Sequence, residues 1–573
     1  MREIAAANAR IGALAVLGVG ALVLAALGSP PLVVATLVAV AGVLEVAGQL
    51  GPLARGSTLG TPDAVSRAAA AAAALAALVG TGVTTATVCA GVAAVAALGV
   101  VWLEGVVGYA WREATRVVER LPGYEAPYSL GARQQLVTAG WYVAVVLATL
   151  TADGVRGRLA LGVPALLVAL ATALTFVLVT RAATRAKATV TARIADALRA
   201  YGAPVMVYLS GPAGTEYQLG VWLSTLERLS ERVVVVVRET ALARAVVRMT
   251  SLPVVSAPAM ADLEGLQVDS FRVALYVNNG AKNGHNVRYR ELTHVQLLHG
   301  DSDKPSSYNP VTAMFDKVFV AGQAGIDRYA AHGVAIPSDK FVIVGRPQVA
   351  DIAAGFVGAP VRTVLYAPTW TGFNQDNDFG SLDPTGPAIV RGLLAHEWTV
   401  MFRPHPYSLD DARSVSAIEE IHRLLEADAA ASGRQHLYGD RASRTMSIVE
   451  CFNASDALVS DVSSVPADYL YSGKPFVITQ VDESPFESFV EEFPLARAAY
   501  VARLREPGSL DAALDALVHD SHASAREQMR TYYLGNFARE GYADVFARAV
   551  DHLVESPERA AAPERRPAAG ADR

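Results

Sequence analysis

The sequence predicts an α/β protein with two doubly wound domains in tandem, preceded by an all-α transmembrane domain. Three observations predict this class. Apolar stretches of membrane-spanning length fill the first third of the 573 residues, and a bilayer core needs about 20 mostly apolar residues per helix. From Ala203 onwards, short apolar runs of strand length alternate with helical or loop segments, which favours mainly parallel sheets covered on both faces. A second series of such runs starts at Thr363, which indicates two domains with a cleft between them.

The bulk composition excludes several classes of protein. The chain is 52% hydrophobic and 18% charged, and its mean hydropathy of +0.29 is high for a soluble protein. A net charge of -6 without any long basic run gives no case for a nucleic-acid partner. Two cysteines, Cys89 and Cys451, cannot form a disulfide framework or a zinc site. This fits a reducing compartment for the polar part of the chain.

Residues 1–181 are predicted to form the transmembrane domain, with about six spans. The candidate spans are Ile11–Gly28, Pro31–Leu50, Ala64–Val79, Thr84–Val107, Leu136–Thr151 and Leu159–Thr180. With six spans, nearly all lysines and arginines at the span ends fall on one side, and only Arg156 and Arg158 fall on the other. By the positive-inside rule, both termini and the polar part of the chain are expected in the cytoplasm. The protein is thus predicted to be a multi-pass protein of the cell membrane.

Few ionisable groups lie within these spans, and this bears on what the domain does. Glu45 and Glu104 lie near predicted span ends, whereas a transporter typically places such residues at mid-membrane. We therefore interpret the domain as an anchor, or a platform for a lipid substrate, rather than a conduit. The basic segment Arg112–Arg133 is expected to be a cytoplasmic loop or a short interfacial helix.

The remaining chain divides into four predicted segments: an amphipathic linker helix (182–202), a first Rossmann-like domain (203–346), a second with closing helices (347–555) and a disordered tail (556–573). The tail is rich in Ala, Pro, Glu and Arg. The predicted strands are Val205–Leu209, Val233–Val237, Val273–Val277, Val295–Leu298, Val318–Val320, Phe341–Val344, Thr363–Tyr366, Trp398–Phe402, Ala457–Val459 and Phe476–Ile478.

One polar motif follows a predicted strand in the middle of the chain. The buried strand ending at Leu298 stops at His299-Gly300, after which the chain turns polar. Ligands of open α/β sheets bind beyond the carboxyl ends of strands, which predicts a chemical role for His299. Gly300 would let the backbone approach a substrate closely. An isolated His-Gly pair would more simply be a buried histidine at a strand end, but four further motifs follow downstream.

These four motifs also follow predicted strands. Gly345-Arg346-Pro347 is either a cleft-lining hinge or an ordinary turn, and Thr369 faces the cleft after Tyr366-Ala367-Pro368. In Arg403-Pro404-His405-Pro406, two prolines form a stiff frame that presents a guanidinium and an imidazole, which suits a phosphate group.

The fourth motif, Asp461-Val462-Ser463-Ser464, precedes a helix that contains Asp468. A serine cap with free backbone amides there suits an anion, and an ordinary cap would look the same. Gly473, before Lys474, is expected to end this helix. The polar loops Ser210–Gly214 and Asn278–Asn283 either bind an acceptor or serve only as turns.

Together these motifs resemble the CDP-glycerol glycerophosphotransferases that build the poly(glycerol phosphate) chains of wall teichoic acids. The motifs occur in that family's order and spacing between Ala203 and His552. The resemblance implies a GT-B fold, with the acceptor on the first Rossmann-like domain and the nucleotide donor held mainly by the second. His299 matches the histidine proposed as catalytic base. The donor-phosphate contacts that it implies are Arg403, His405, Ser463 and Ser464. We add Thr369 to these contacts from its place at the cleft, and we also count His405 as catalytic. The supporting residues that we predict are Gly300, Asp301, Arg346, Asp461, Asp468 and Lys474.

The sequence departs from this family beside the histidine. Leu298 precedes it and Asp301-Ser302 follow Gly300, where better-known members have Trp and Thr-Pro. Those positions border the acceptor, so the acceptor is left open. The better-known members also associate peripherally with the membrane, whereas six predicted spans precede the enzyme here.

The expected reaction moves glycerol phosphate from CDP-glycerol to a hydroxyl of a lipid-linked acceptor, with CMP as leaving group. His299 would take the hydroxyl proton, while Arg403, His405 (if protonated) and the amides near Ser463 would stabilise the developing charge. No metal and no cofactor are expected, because Asp301 and Asp303 are the only acidic pair near the base. The alternatives are another nucleotide-sugar or CDP-alcohol enzyme (a glycosyltransferase, ribitolphosphotransferase or epimerase) and a non-catalytic membrane scaffold.

Overall fold

The computed structural model describes residues 2–50, 61–79, 81, 83–114, 116–125, 131–152, 161–300, 302–355, 358, 360–371 and 378–556. The chain forms two compact units. The first comprises Met1–Tyr201, Val237–Val247 and Pro253–Val268, and the second comprises Gly202–Val236, Arg248–Leu252 and Asp269–Arg573. The segments Val237–Val247 and Pro253–Val268 thus belong to the helical unit although they follow the predicted linker.

The first unit is mainly helical, as the run of alanine, valine and leucine predicts. Its long helices overlap the six predicted spans: α1 (Arg2–Ala26), α2 (Pro31–Leu50), α3 (Thr61–Leu78), α4 (Thr85–Ala114), α5 (Gly131–Thr151) and α6 (Gly162–Tyr201). Helix α6 has 40 residues, so the predicted linker helix is its continuation. The short strand β1 (Val118–Glu119) pairs antiparallel with β4 (Val254–Ser256). The segment expected as a loop or an interfacial helix therefore contains a strand.

One helical stretch of the described residues is long and apolar enough to cross a membrane. It is Gly162–Ala182, with 21 residues, a mean hydropathy of 2.4 and one third of it buried. The other apolar helical stretches among these residues are shorter, at 10–17 residues. The expectation of six spans is thus supported for one helix, and an all-α transmembrane domain is not established.

Small residues fill the interior of this helical unit, and large apolar side chains lie on its outside. Its buried core is dominated by alanine. Most of the exposed large apolar side chains among the described residues belong to helices α1–α6, for example Val43, Leu167 and Leu178. Inside the unit, the Tyr142 hydroxyl donates a hydrogen bond of 2.6 Å to the buried carboxylate of Glu45.

The second unit contains two parallel sheets, as the alternation of strands and helices predicts. The strands of the first sheet in this unit are β2 (Val205–Leu209), β3 (Val233–Val237), β5 (Val273–Tyr276), β6 (Thr293–Gln296), β7 (Lys317–Val320) and β8 (Phe341–Ile343). Their order is β3-β2-β5-β6-β7-β8. The succession of strands reverses between β2 and β5. The loops that follow these two strands are the two polar loops noted in the sequence. Strand β6 ends at Gln296, two residues before its predicted end.

The second sheet has the order β10-β9-β11-β12-β13. Its strands are β9 (Thr363–Ala367), β10 (Thr399–Phe402), β11 (Ala457–Ser460), β12 (Phe476–Gln480) and β13 (Tyr500–Arg503). Strands β9 and β11 are parallel neighbours, with Ala367 opposite Ser460. The succession reverses between them, and such a switch point is where open α/β sheets bind ligands. The predicted Thr369 and Asp461 motifs follow these two strands.

Helices connect the strands, and three of them close the second unit where closing helices are predicted. Those three are Ser509–His519, Ala523–Leu534 and Asp544–Glu555. Two further helices, Thr240–Val247 and Met260–Gly265, belong to the first unit. The other α-helices among the described residues of the second unit are Glu216–Leu226, Gly284–Val287, Gln323–Ala331, Gly386–Ala395, Ala412–Ser432, Ile448–Ala454, Ser464–Tyr469 and Phe486–Glu492. The second sheet has a separate apolar core on each of its two faces, as a parallel sheet covered by helices requires.

Candidate active site

His299 lies just beyond the carboxyl end of strand β6, in a mostly buried position. Burial lowers its pKa to about 4, a hydrogen bond to the backbone of Val277 opposes this, and the charge of Arg346 adds to it. The ring atom Nδ1 has no hydrogen-bond partner among the described residues. A buried polar atom without a partner is uncommon in proteins, and here it is a proton acceptor in neutral form. His299 therefore has an unused ring nitrogen just beyond the carboxyl end of strand β6.

The backbone before His299 is strained. Leu298 has φ 55°, a left-handed conformation that side chains with a Cβ rarely adopt. Two hydrogen bonds hold it: the indole nitrogen of Trp222 donates to the Leu298 carbonyl at 2.6 Å, and the Leu298 amide donates to the Gln296 side chain at 3.3 Å. Strain of this kind persists only where the surroundings impose it, and it is concentrated at functional sites.

Arg346 connects the end of strand β8 to the second sheet's helix Ser464–Tyr469. Its guanidinium makes a two-pronged ion pair with Asp468, through Nε to Oδ1 and through a terminal nitrogen to Oδ2 at 3.0 Å. Both side chains are largely buried. The Arg346 amide also donates to the Tyr542 hydroxyl at 3.0 Å. This predicted cleft residue therefore joins the two sheets next to His299.

Asp461 organises the switch point of the second sheet from a fully buried position. Its Oδ2 accepts hydrogen bonds from the amides of Thr369 at 2.7 Å and Ser381 at 3.1 Å. Its Oδ1 accepts from the Thr479 hydroxyl at 2.6 Å. Burial raises the pKa of Asp461, and these hydrogen bonds oppose the rise. Asp461 thus fixes the loop that presents Thr369.

We expect Asp461→Ala to destabilise the protein strongly, because three buried donors lose a charged acceptor. Each hydrogen bond to a charged group contributes about 1.5–3 kcal/mol. The free energy of unfolding, measured by denaturant titration, should fall by at least one such increment. A loss below about 0.5 kcal/mol would contradict this role for the carboxylate.

The motif Arg403–Pro406 follows strand β10, and its two functional groups have different surroundings. One terminal nitrogen of Arg403 donates to the backbone carbonyls of Ala442 and Met446, the latter at 2.7 Å. The guanidinium therefore tethers segment 441–446, and in this arrangement that nitrogen is not free for a phosphate. The same hydrogen-bond donors suit carbonyl and phosphate oxygens alike.

His405 is neutral at neutral pH, contrary to the protonated form considered from the sequence. Burial lowers its pKa to about 4, and the charge of Lys304 acts in the same direction. Its Nδ1 accepts a hydrogen bond of 3.2 Å from the Tyr407 amide. The ring proton accordingly resides on Nε2, so His405 can donate a hydrogen bond without carrying a charge.

Aromatic rings from segments that follow strands of both sheets lie beside the two histidines. The Tyr217 ring makes edge contacts with His299 and with Tyr407, each at 5.7 Å between ring centroids. Tyr407 in turn contacts Trp370 at 5.1 Å, and Trp370 stacks on His405 at 6.0 Å. A continuous row of rings thus runs from His299 to His405.

The two serines of the last motif lie at the start of helix Ser464–Tyr469. Ser463 is its cap, with its hydroxyl oxygen accepting from the Val465 amide at 3.2 Å. A Cβ added to Gly300 would lie 3.4 Å from the Ser464 hydroxyl oxygen. The glycine after His299 therefore allows close approach of the Ser464 side chain, so these two motifs lie together.

Two predicted supporting residues remain. The Lys474 ammonium donates to the carbonyls of Phe452 and Ser455, at 2.9 and 2.6 Å. It therefore caps helix Ile448–Ala454, and these contacts give it a structural role. Asp301 lies outside the described residues.

Lys304 is a site residue that the sequence reasoning missed. It lies five residues after His299, and its ammonium donates a hydrogen bond of 3.1 Å to the Thr369 hydroxyl of the second sheet. Burial lowers its pKa to about 8, while Asp461 and Asp378 act to raise it. The available sequence signal was its spacing from His299, but a lysine in a polar loop ordinarily reads as solvent-exposed.

The comparisons with known proteins agree with the motif-based identification. Residues 357–529 match the family described as CDP-Glycerol:Poly(glycerophosphate) glycerophosphotransferase. This range contains the Thr369, Arg403, Asp461 and Asp468 motifs. No curated protein matched significantly.

Solved structures gave matches of low identity. The wall teichoic acid polymerase TagF is 14% identical, with 64% of this chain and 95% of that chain covered and a TM-score of 0.38. A TagF variant soaked with CDPG is 13% identical, with coverages of 61% and 89% and a TM-score of 0.41. A putative UDP-N-acetylglucosamine 2-epimerase from Listeria monocytogenes is 11% identical, with coverages of 62% and 97% and a TM-score of 0.40. Similarities at this level carry no functional argument.

The family match bears out the resemblance and the enzyme class. The motifs it covers lie at the carboxyl ends of parallel strands in the second sheet, where α/β enzymes bind their ligands. Residues 357–529 are therefore similar to the CDP-glycerol:poly(glycerophosphate) glycerophosphotransferase family, as the motifs predict.

Proposed function

We propose that the protein transfers glycerol phosphate from CDP-glycerol to a hydroxyl of a lipid-linked acceptor during synthesis of a teichoic-acid-like cell-wall polymer. The observation that carries the proposal is the buried Nδ1 of His299, which has no hydrogen-bond partner among the described residues. The second sheet, beside this histidine, lies within the residues that match the family. In the reaction, the acceptor oxygen bonds to the β-phosphorus and the bond from that phosphorus to the CMP oxygen breaks. The proton of the hydroxyl passes to His299.

The surroundings of His299 support its role as general base. With a pKa of about 4, the imidazole is neutral at neutral pH and able to accept a proton. The negative charge of a bound pyrophosphate acts to raise this pKa, because an anion favours the imidazolium. The base therefore becomes stronger once the nucleotide donor has bound.

The second sheet supplies groups suited to hold the donor pyrophosphate. His405 carries a proton on Nε2, and the hydroxyls of Thr369 and Ser464 lie beside Lys304 and Gly300 respectively. Hydrogen-bond donors fixed in place before the reaction stabilise developing charge without reorganisation. The GT-B arrangement implied by the family, with nucleotide on the second Rossmann-like domain, is consistent with this distribution.

The test of this function is CMP release from CDP-glycerol by the full-length protein in lipid, with and without lipids from the native membrane. We expect release that requires acceptor lipid. Turnover of CDP-ribitol or a UDP-sugar instead of CDP-glycerol would overturn the donor assignment while keeping the transferase class. Absence of turnover with every nucleotide would favour a scaffold.

We further propose that the helical unit anchors the enzyme in the cell membrane, with the catalytic unit in the cytoplasm. The stretch Gly162–Ala182 of helix α6 is long enough to span a membrane. The large apolar side chains on the outside of α1–α6 suit lipid better than water. The basic residues at the predicted span ends support the same orientation.

We expect the full-length protein to remain in the membrane fraction after alkaline carbonate extraction. A carboxyl-terminal tag should be digested by protease in inverted membrane vesicles and protected in intact cells. Release by carbonate would contradict spanning helices, and digestion of the tag in intact cells would reverse the orientation.

A further inference from the structure

Lys304 holds a fixed position because its neighbour Asp303 is anchored. The Asp303 carboxylate accepts hydrogen bonds from the guanidinium of Arg328 at 3.0 and 2.9 Å. It also accepts one from the Tyr533 hydroxyl at 2.7 Å. The loop that follows His299 is thus tied at its midpoint to a helix beside the first sheet and to a closing helix.

The ammonium of Lys304 is partly buried, and it makes no ion pair with the described residues. It donates to the Thr369 hydroxyl at 3.1 Å and lies 5.5 Å from the centroid of the Phe379 ring. No carboxylate of the described residues lies within 4.0 Å of it. The acidic groups that act on it at longer range are Asp461, whose oxygens are engaged by three donors, and Asp378.

A buried cation that lacks a counter-ion costs free energy unless a ligand neutralises it. The groups around Lys304 point to the sign of that ligand. The charge of Lys304 acts on the imidazole of His405 and helps to lower its pKa. This neutral imidazole carries its proton on Nε2. The loop after strand β9 adds the Thr369 hydroxyl. Together they form a set of hydrogen-bond donors around one positive charge, which is the chemistry of a phosphate site.

We infer that Lys304 binds the pyrophosphate of the nucleotide donor and stabilises the charge that develops on the CMP leaving group. This inference rests on the proposed transferase function. Because Lys304 and His299 share one loop of the first sheet, the residue that activates the acceptor and a residue that holds the nucleotide move together. A donor bound beside Lys304 and Thr369 therefore also fixes the position of His299, the proposed base.

The experiment measures dissociation constants of CDP-glycerol, CMP, inorganic pyrophosphate and cytidine for the full-length protein by calorimetry. Lys304→Met should weaken CDP-glycerol binding by about 10–100-fold, the loss expected for one hydrogen bond to a charged group. Pyrophosphate and CMP should weaken similarly, whereas cytidine, which has no phosphate, should not. Lys304→Arg keeps the charge and should lose less.

The matched control is Lys317→Met. The Lys317 ammonium donates to the Asp339 carbonyl at 2.8 Å. Lys317 begins strand β7, whereas the candidate site lies at the carboxyl ends of the strands, so its loss should leave every affinity unchanged. Equal weakening of cytidine and CDP-glycerol in Lys304→Met, or no weakening at all, would overturn the inference. A third outcome is that the wild-type protein binds pyrophosphate but not CDP-glycerol, and that Lys304→Met weakens the pyrophosphate binding. This outcome would keep the phosphate site and overturn the proposed donor.

A second measurement needs no variant and so does not depend on folding. An amine with a pKa of about 8 is partly unprotonated in mildly alkaline buffer, and reductive methylation followed by mass spectrometry should modify Lys304 there. CDP-glycerol or pyrophosphate should protect it. Unchanged modification at saturating ligand would contradict contact between Lys304 and the phosphates.

Discussion

Replacing His299 by alanine is expected to lower kcat for CMP release by about 10²–10⁴-fold, the usual contribution of one positioned general base. The fold should remain, because Nδ1 makes no hydrogen bond among the described residues and only the hydrogen bond to the Val277 backbone is lost. Circular dichroism and thermal unfolding of the variant check this point. His552→Ala, which removes an exposed histidine of the last helix, serves as control and should retain full activity. A His299 variant with more than a tenth of wild-type kcat would exclude the base.

The pH dependence of kcat/KM tests the same residue in the unmodified enzyme. The neutral imidazole is the active form, so activity should be present above its pKa and should fall as pH drops through about 4. Free histidine, with a pKa of about 6.5, would instead begin to lose activity near neutrality. An acid limb near 6.5 would show that His299 is solvated in the working enzyme.

Removing one partner of the Arg346–Asp468 ion pair should destabilise the second unit by about 3–5 kcal/mol, because it leaves a buried charge without its counter-charge. Both Arg346→Gln and Asp468→Asn are suitable, and denaturant unfolding measures the loss. The control is Arg391→Gln, which breaks a pair with Glu420 in which the arginine side chain is 55% exposed. Such surface pairs contribute about 0–1 kcal/mol. Equal losses in the two arginine variants would contradict the buried role.

The same substitution has a second expected effect on catalysis. The positive charge of Arg346 lowers the pKa of His299, so Arg346→Gln should raise it and move the acid limb of kcat/KM to higher pH. Asp468→Asn leaves the guanidinium in place and should not move the limb in that direction. This difference separates the electrostatic role of Arg346 from loss of stability, which both variants share.

The sheets were largely predictable from the sequence because their strands are short apolar runs between polar loops. Val205–Leu209 and Val233–Val237 were predicted with correct bounds. Strand Tyr500–Arg503 was missed since it lies at the edge of the second sheet and alternates buried and half-buried residues. The strand Val254–Ser256 has three residues, too few for a periodic signal.

The candidate site was predictable in its motifs but not in the contacts of its charged groups. His299 and Asp461 follow strands, and the strand ends alone place them at the sheet edge. Arg403 was expected to contact phosphate and Lys474 to support the site, yet the observed contacts of both are with backbone carbonyls, which for Arg403 offer the same oxygen chemistry as phosphate. Lys304 was missed because its burial depends on contacts with the second sheet, far away in sequence.

Tyr217 has a consequence for the competition between the acceptor and water. In the proposed reaction, the phosphoanhydride bond of the nucleotide donor is wasted whenever hydrolysis replaces transfer. The Tyr217 ring borders His299 on one side and Tyr407 on the other, so apolar ring edges line the approach to the base. A single water molecule gains few hydrogen bonds along such a lining, whereas a large acceptor displaces or packs against the rings. In the proposed reaction, the aromatic row thus disfavours water as the nucleophile relative to a large acceptor.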